Sequence, residues 1–154
     1  MFQFFLRRLR NERGFTLIEL LIVVAIIAIL AAILIPNFLR ARAQSQVAAT
    51  KGNLKNVATA LESYQVDNAS YPAAYNSLVT GNYTRALPTD PCSGSLFGAS
   101  PGYTYTPIPA TLPTDYQLKT NWGTTSGTTG YQCYNANQNS NISYTPGGGL
   151  SQTP

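Results

Sequence analysis

The sequence contains no histidine. Its serines and threonines therefore lack the base that usually activates a hydroxyl nucleophile. Two cysteines without histidine make a poor metal site. Asp90 and Asp115 stand alone, and no glycine-rich phosphate loop occurs. Nothing rises to a catalytic constellation, so the expectation is a protein that is not an enzyme and holds no cofactor and no metal. Charge is scarce too. Only 10% of residues are charged, low for a freely soluble protein.

The charge that is present is unevenly placed. Residues 1–14 hold Arg7, Arg8, Arg10 and Arg13 against Glu12, a net of +3. The remaining chain holds six basic and five acidic groups, a net of +1. The basic balance is thus a property of the first residues, which argues against a basic nucleic-acid-binding surface on the rest. At 154 residues the chain is long enough for one modest domain.

What the sequence does have is hydrocarbon. Leu20 to Ile35 is an unbroken apolar run of 16 residues, and from Phe15 it reaches 21 with only Thr16 and Glu19 interrupting. A helix of that length spans about 30 Å, the thickness of a bilayer core. The preceding arginines place the N-terminus on the cytoplasmic side. Past Pro36, which removes a backbone donor and is expected to kink or loosen the helix, the pattern changes. Val47, Leu54, Val57, Leu61 and Tyr64 form an apolar stripe. Arg40, Arg42, Lys51, Lys55 and Glu62 mostly fall off it. The reading is one long helix from about Phe15 to about Tyr64, apolar all round in its first half and amphipathic in its second.

"VDNASYP" breaks the helix, "AAYNSLV" suits a short helical turn, and "ALPTDPCSG" is a loop. Strand candidates lie at 102–107, 115–122, 130–135 and 141–145, rich in Tyr and Thr and separated by Gly or Pro. The tail "PGGGLSQTP" reads as mobile. The fold class expected is α+β, a long N-terminal helix packed on a small antiparallel sheet. With the domain held outside the cell, Cys92 and Cys133 are expected to form one disulfide. Two unpaired buried thiols are the alternative.

The stretch "RGFTLIELLIVVAIIAILAAILIPNF" closely resembles the start of type IV pilins and pseudopilins. The resemblance rests on a basic leader ending in Gly14, then Phe15, Thr16, Leu17, Ile18 and Glu19, then the apolar helix with Pro36. It covers about residues 13–40. The rest agrees in architecture, with "YP" and "LPTDP" as weaker echoes. It implies the type IV pilin fold and four parts. These are a cleaved leader at 1–14, a membrane and filament-core helix at 15–36, an amphipathic helix at 37–65, and a connecting loop with a small β domain at 66–154.

The resemblance also implies roles. A prepilin peptidase cuts between Gly14 and Phe15 and methylates the new Phe15 amine. The single-pass precursor waits in the cytoplasmic (inner) membrane. An inner-membrane assembly platform and its ATPase then lift it into a helical filament of its own copies, an extracellular pilus on the cell surface. Glu19, a costly carboxylate in a membrane-length helix, pairs with the Phe15 amine of a neighbouring subunit and sets axial register. Pro36 marks a helix break that lets the lower helix bend. Ala28 departs from the glycine that many members carry, which favours a more regular helix before Pro36.

Other readings compete. "ARAQ" at 41–44 has the look of a signal peptidase site, and cleavage after Ala43 would release a secreted domain starting at Gln44. Glu19, Gly14 and the helical stripe running through "ARAQ" stand against it. A pseudopilin of a type II secretion system, forming a periplasmic piston, fits the same architecture. The pilus is preferred for its cysteine pair, its Tyr/Thr/Asn-rich surface and its glycine tail. The lack of an extra domain weakly favours a bulk subunit. Asn68, Asn82 and Asn141 sit in sequons that chance readily produces. The ten tyrosines suit strands and core packing better than electron transport. For Arg40, Arg42, Lys51 and Lys55 the choices are a solvated helix face, lipid head groups, an acidic neighbour or DNA. Adhesion, twitching motility, DNA uptake and secretion are the roles that the resemblance implies for such a filament.

Overall fold

The computed structural model describes residues 14–123, 128, 130–137 and 140–153. The leader expected at 1–14 therefore lies outside the described residues except for Gly14. The chain divides into two compact units, Met1–Phe38 and Leu39–Pro154. Helix α1 runs from Leu17 to Asn68 and contributes to both. It continues four residues past the Tyr64 expected from the stripe.

In the first unit, α1 begins at a reciprocal cap. The Glu19 amide donates to Thr16 Oγ1 (3.2 Å), and the Thr16 amide donates to Glu19 Oε2 (2.9 Å). The Thr16 hydroxyl also donates to Glu19 Oε2 (2.6 Å). This satisfies helix-end donors that the chain cannot satisfy for itself. Pro36 lies inside α1 and does not break it in this structure. Proline removes the donor to one carbonyl, that of Ala32, and the cost is local. At the next carbonyl the Asn37 side-chain amide donates to Ile33 O (3.1 Å).

The second unit is built on the other stretch of α1. Ala43, Val47, Thr50, Leu54, Val57 and Leu61 are buried at alternating spacings of four and three, so they share one helix face. Against this face stands a four-stranded antiparallel sheet in the order β1-β2-β3-β4. The strands are β1 Gly102–Ile108, β2 Asp115–Asn121, β3 Asn141–Thr145 and β4 Gly149–Thr153. On β2 the buried residues are every second one, Tyr116, Leu118 and Thr120. That is the period of a sheet with one covered face. They join Leu54, Leu61, Leu78, Tyr103, Trp122 and Ile142 in the core. Leu78 comes from α2, Ser77–Thr80, the short turn expected in "AAYNSLV".

Two expectations are corrected. Residues 130–135 were expected to be a strand, and they form helix α3, Tyr131–Ala136. Cys133 is its buried residue, and the buried Gly130 and Asn137 that cap its two ends stand three before and four after it, a spacing that suits a helix and not a strand. Gly130 enters with φ of 85°, and a Cβ there would sit 3.2 Å from the Trp122 ring. The tail was read as mobile, yet it forms β4. The "PGG" at 146–148 is a hairpin turn, in which the Gly148 amide donates to Thr145 Oγ1 (3.2 Å). The register runs from Thr145 opposite Gly149 to Asn141 opposite Thr153.

Candidate assembly and processing site

The site residues of the first unit sit at and around the start of α1. Gly14 precedes the helix, and a Cβ placed on it would touch nothing within 4 Å. Phe15 is 82% exposed. Among the described residues the junction between them is sterically open. Glu19 lies one helical turn in, at the third position of the cap. Its carboxylate takes two hydrogen bonds from Thr16, as described above. The resemblance assigned Glu19 a partner on another chain, but Thr16 had no role in that reading. The signal for it was the T-x-x-E spacing of a capping box.

Beyond the cap, the helix offers hydrocarbon on every side. Leu20, Leu21, Ile22, Val23, Val24, Ile26, Ile27, Ile29 and Leu30 are all exposed. Mean hydropathy over the most apolar 18-residue window reaches 3.3, and none of that window is buried within the chain. By length and composition this helix is able to cross a membrane. Apolar surface of this extent needs a bilayer or a protein partner to cover it.

The second unit supplies what holds the domain together. Cys92 and Cys133 form a disulfide across a separation of 41 residues. Beside it lies Asp90, fully buried. Asp90 Oδ1 accepts from Thr50 Oγ1 (3.1 Å) and the Cys92 amide (3.2 Å). Asp90 Oδ2 accepts from Ser93 Oγ (2.8 Å) and Trp122 Nε1 (2.9 Å). Helix, loop and sheet are thereby tied to one carboxylate. Asp90 reads as isolated in the sequence because two of its four donors, Trp122 and Thr50, lie 32 and 40 residues away.

Glu62 has a similar role further along α1. It accepts from the Tyr71 hydroxyl (2.9 Å) and the Tyr116 hydroxyl (3.3 Å). Burial, and then the Glu62 carboxylate, push the Tyr71 hydroxyl up to about 12. The same two causes raise Tyr116. Burial pushes Tyr103 and Tyr105 up to about 12 as well. The tyrosines act as neutral donors and core filling, as their strand positions imply. Among the described residues no cluster of three or more His, Cys, Asp or Glu is placed to hold a metal. Of the sequons, Asn141 is buried and accepts from the Trp122 amide (2.8 Å), while Asn82 is exposed in a left-handed turn.

A long N-terminal helix on a four-stranded antiparallel sheet, opening at Gly14–Phe15 with Glu19 in its first turn, is the type IV pilin fold and N-terminus. The family described as the prokaryotic N-terminal methylation motif matches residues 9–35. The chain is 36% identical over 109 residues to the type II secretion system core protein G of Pseudomonas aeruginosa, covering 60% of this chain and 77% of that protein. It is 50% identical over 72 residues to the type IV wide pilus major component PilA4 of Thermus thermophilus, covering 47% of this chain and 55% of that one. It is 52% identical over 68 residues to the type IV major pilin protein PilA of Myxococcus xanthus, covering 44% of this chain and 31% of that one. The chain belongs to the type IV pilin and pseudopilin family. It spans about half and about a third of the length of the two pilins, and more than three quarters of the secretion protein.

Proposed function

We propose that this protein is the bulk structural subunit of a type IV pilus. A prepilin peptidase cuts after Gly14 and methylates Phe15. The processed chain rests in the inner membrane through its apolar helix. An assembly platform and its ATPase then draw it into a filament of its own copies, which emerges on the cell surface. The work is structural and not catalytic.

The observation that carries this reading is the division of labour along α1. Beyond the Thr16–Glu19 cap its first half offers hydrocarbon outward, while its later residues serve a disulfide-stapled domain of low charge. A subunit core of bare apolar helices, clad by such domains, buries the hydrocarbon that the single chain leaves exposed. Glu19 is the one carboxylate in that hydrocarbon. Pairing with the Phe15 amine of a neighbour relieves its burial and fixes register. Pro36 gives α1 one missing hydrogen bond at which filament packing can loosen it.

For the surface pilus over a periplasmic piston, support comes from the disulfide and from the higher identity to two major pilins. The piston has its own support, since the matches to secretion proteins extend over about 110 residues and those to pilins over about 70. Electron microscopy of cells at native expression, with an antibody to the β domain, separates the two. Labelled fibres beyond the outer surface are expected. Label confined to the envelope would give the piston the better claim.

A further inference from the structure

We propose that the second unit carries a binding site for a phosphate-type anion, built from Arg40 and Gln44 on α1 with Gln132 and Asn135 on α3. These four side chains, with Ala43 and Ala136, line a pocket of about 290 Å³. Its charge is one-sided. One guanidinium and three primary amides bring donors to it, and none of its six lining residues is acidic. Among the described residues Arg40 has no carboxylate partner. The nearest acidic residues along α1 are Glu19 and Glu62, 21 and 22 positions away.

The parts of the pocket are held in place independently of any ligand. Gln44 lies one turn beyond Arg40 on the same helix face. Gln132 and Asn135 lie three apart on α3, so they too share a face. α3 is fixed by the Cys92–Cys133 disulfide, whose Cys133 lies between the two amides in sequence. Guanidinium is the side chain best shaped to grip a phosphate with two parallel hydrogen bonds. Side-chain amides complete such a shell without adding charge.

Position along the chain points to the source. Arg40 is the first charged residue after Glu19, five positions past the apolar run that ends at Ile35. A helix that leaves a bilayer at that point brings Arg40 out at the depth of the lipid phosphates. The occupant is therefore a phosphodiester headgroup while the subunit waits in the membrane, with free phosphate as the other source of the same chemistry. This inference rests on the membrane stage of the proposed function.

The test uses the full chain in nanodiscs. Retention of the chain in the discs is read first and reports on the membrane stage alone. Phosphatidylglycerol and, separately, inorganic phosphate are then titrated into chain held in a phosphate-free maltoside detergent, with the side-chain amide NMR signals of Gln44, Gln132 and Asn135 as readout. Saturable shifts of all three with lipid support the headgroup, and shifts with inorganic phosphate alone support the anion site with free phosphate as its occupant. Arg40→Gln is expected to weaken binding about tenfold, the size of a lost charge-assisted contact. Asn135→Leu is expected to weaken it about threefold, from the other helix. Arg42→Gln, outside the pocket, is expected to change it little. A chain that enters discs but shows no shift at Gln132 and Asn135 with either probe would overturn the site. Equal losses in Arg40→Gln and Arg42→Gln, with none in Asn135→Leu, would overturn it too, leaving only a diffuse basic surface.

Discussion

Two carboxylates do contrasting work at the scale of single residues. Glu19 is held by Thr16 in the cap yet faces outward, so it keeps acceptor capacity for a partner chain. Glu19→Ala is expected to leave membrane insertion and cleavage at Gly14 intact while greatly reducing filament yield. Normal filaments from that variant, counted in sheared fractions, would remove Glu19 from the assembly step. Asp90 faces inward and has four donors. Asp90→Asn leaves part of that ring facing an amide that donates instead of accepting. A loss of about 3 kcal/mol is expected in a denaturant titration of the full chain in detergent. The tyrosines add a pH dependence. Tyr71, Tyr103 and Tyr105 ionise near 12 in the fold and near 10 in the unfolded chain. Between those values the folded state holds protons that the unfolded state has released, so stability falls as pH rises. Their contribution is fully present below pH 10 and is lost towards pH 12. Thermal melts across that window check the sign, and a flat profile would contradict it.

At the scale of elements, periodicity decided what could be read in advance. The stripe from Val47 to Tyr64 was legible because its spacing leaves one face for a helix to bury. The strands at β1, β2 and β3 were legible from Tyr and Thr bounded by Gly and Pro. α3 was not, because six residues with two tyrosines and a cysteine fit either period. Its helical form follows from a left-handed Gly130 and a disulfide partner 41 residues back, neither of which is local. β4 was missed for a different reason. "PGGG" reads locally as slack, although the same residues make a turn that returns a strand onto β3. The site divides the same way. Gly14, Phe15 and Glu19 are singled out by a contiguous motif. Asp90 and its donors are not, since helix, loop and sheet each supply a part. Pro36 was read as a break, and the single lost hydrogen bond does not stop α1 in this structure.

On the scale of the whole molecule, a hydrocarbon helix continues into a domain that a disulfide staples. Closing a loop of 41 residues contributes roughly 4 kcal/mol in the chain-entropy model. Replacing Cys92 and Cys133 together by alanine is expected to lower domain stability by about that amount, read as a shifted denaturation midpoint. An unchanged midpoint would show that the hydrophobic core alone carries the domain. Assembly makes a further demand, because the exposed apolar helix must pass from bilayer to filament with its new N-terminus in place. The most direct test of this account is the mass of the N-terminal peptide from protein sheared off the cell surface. A chain that begins at methylated Phe15 in that fraction is the predicted result. A chain that begins at Gln44 in the culture medium would contradict it.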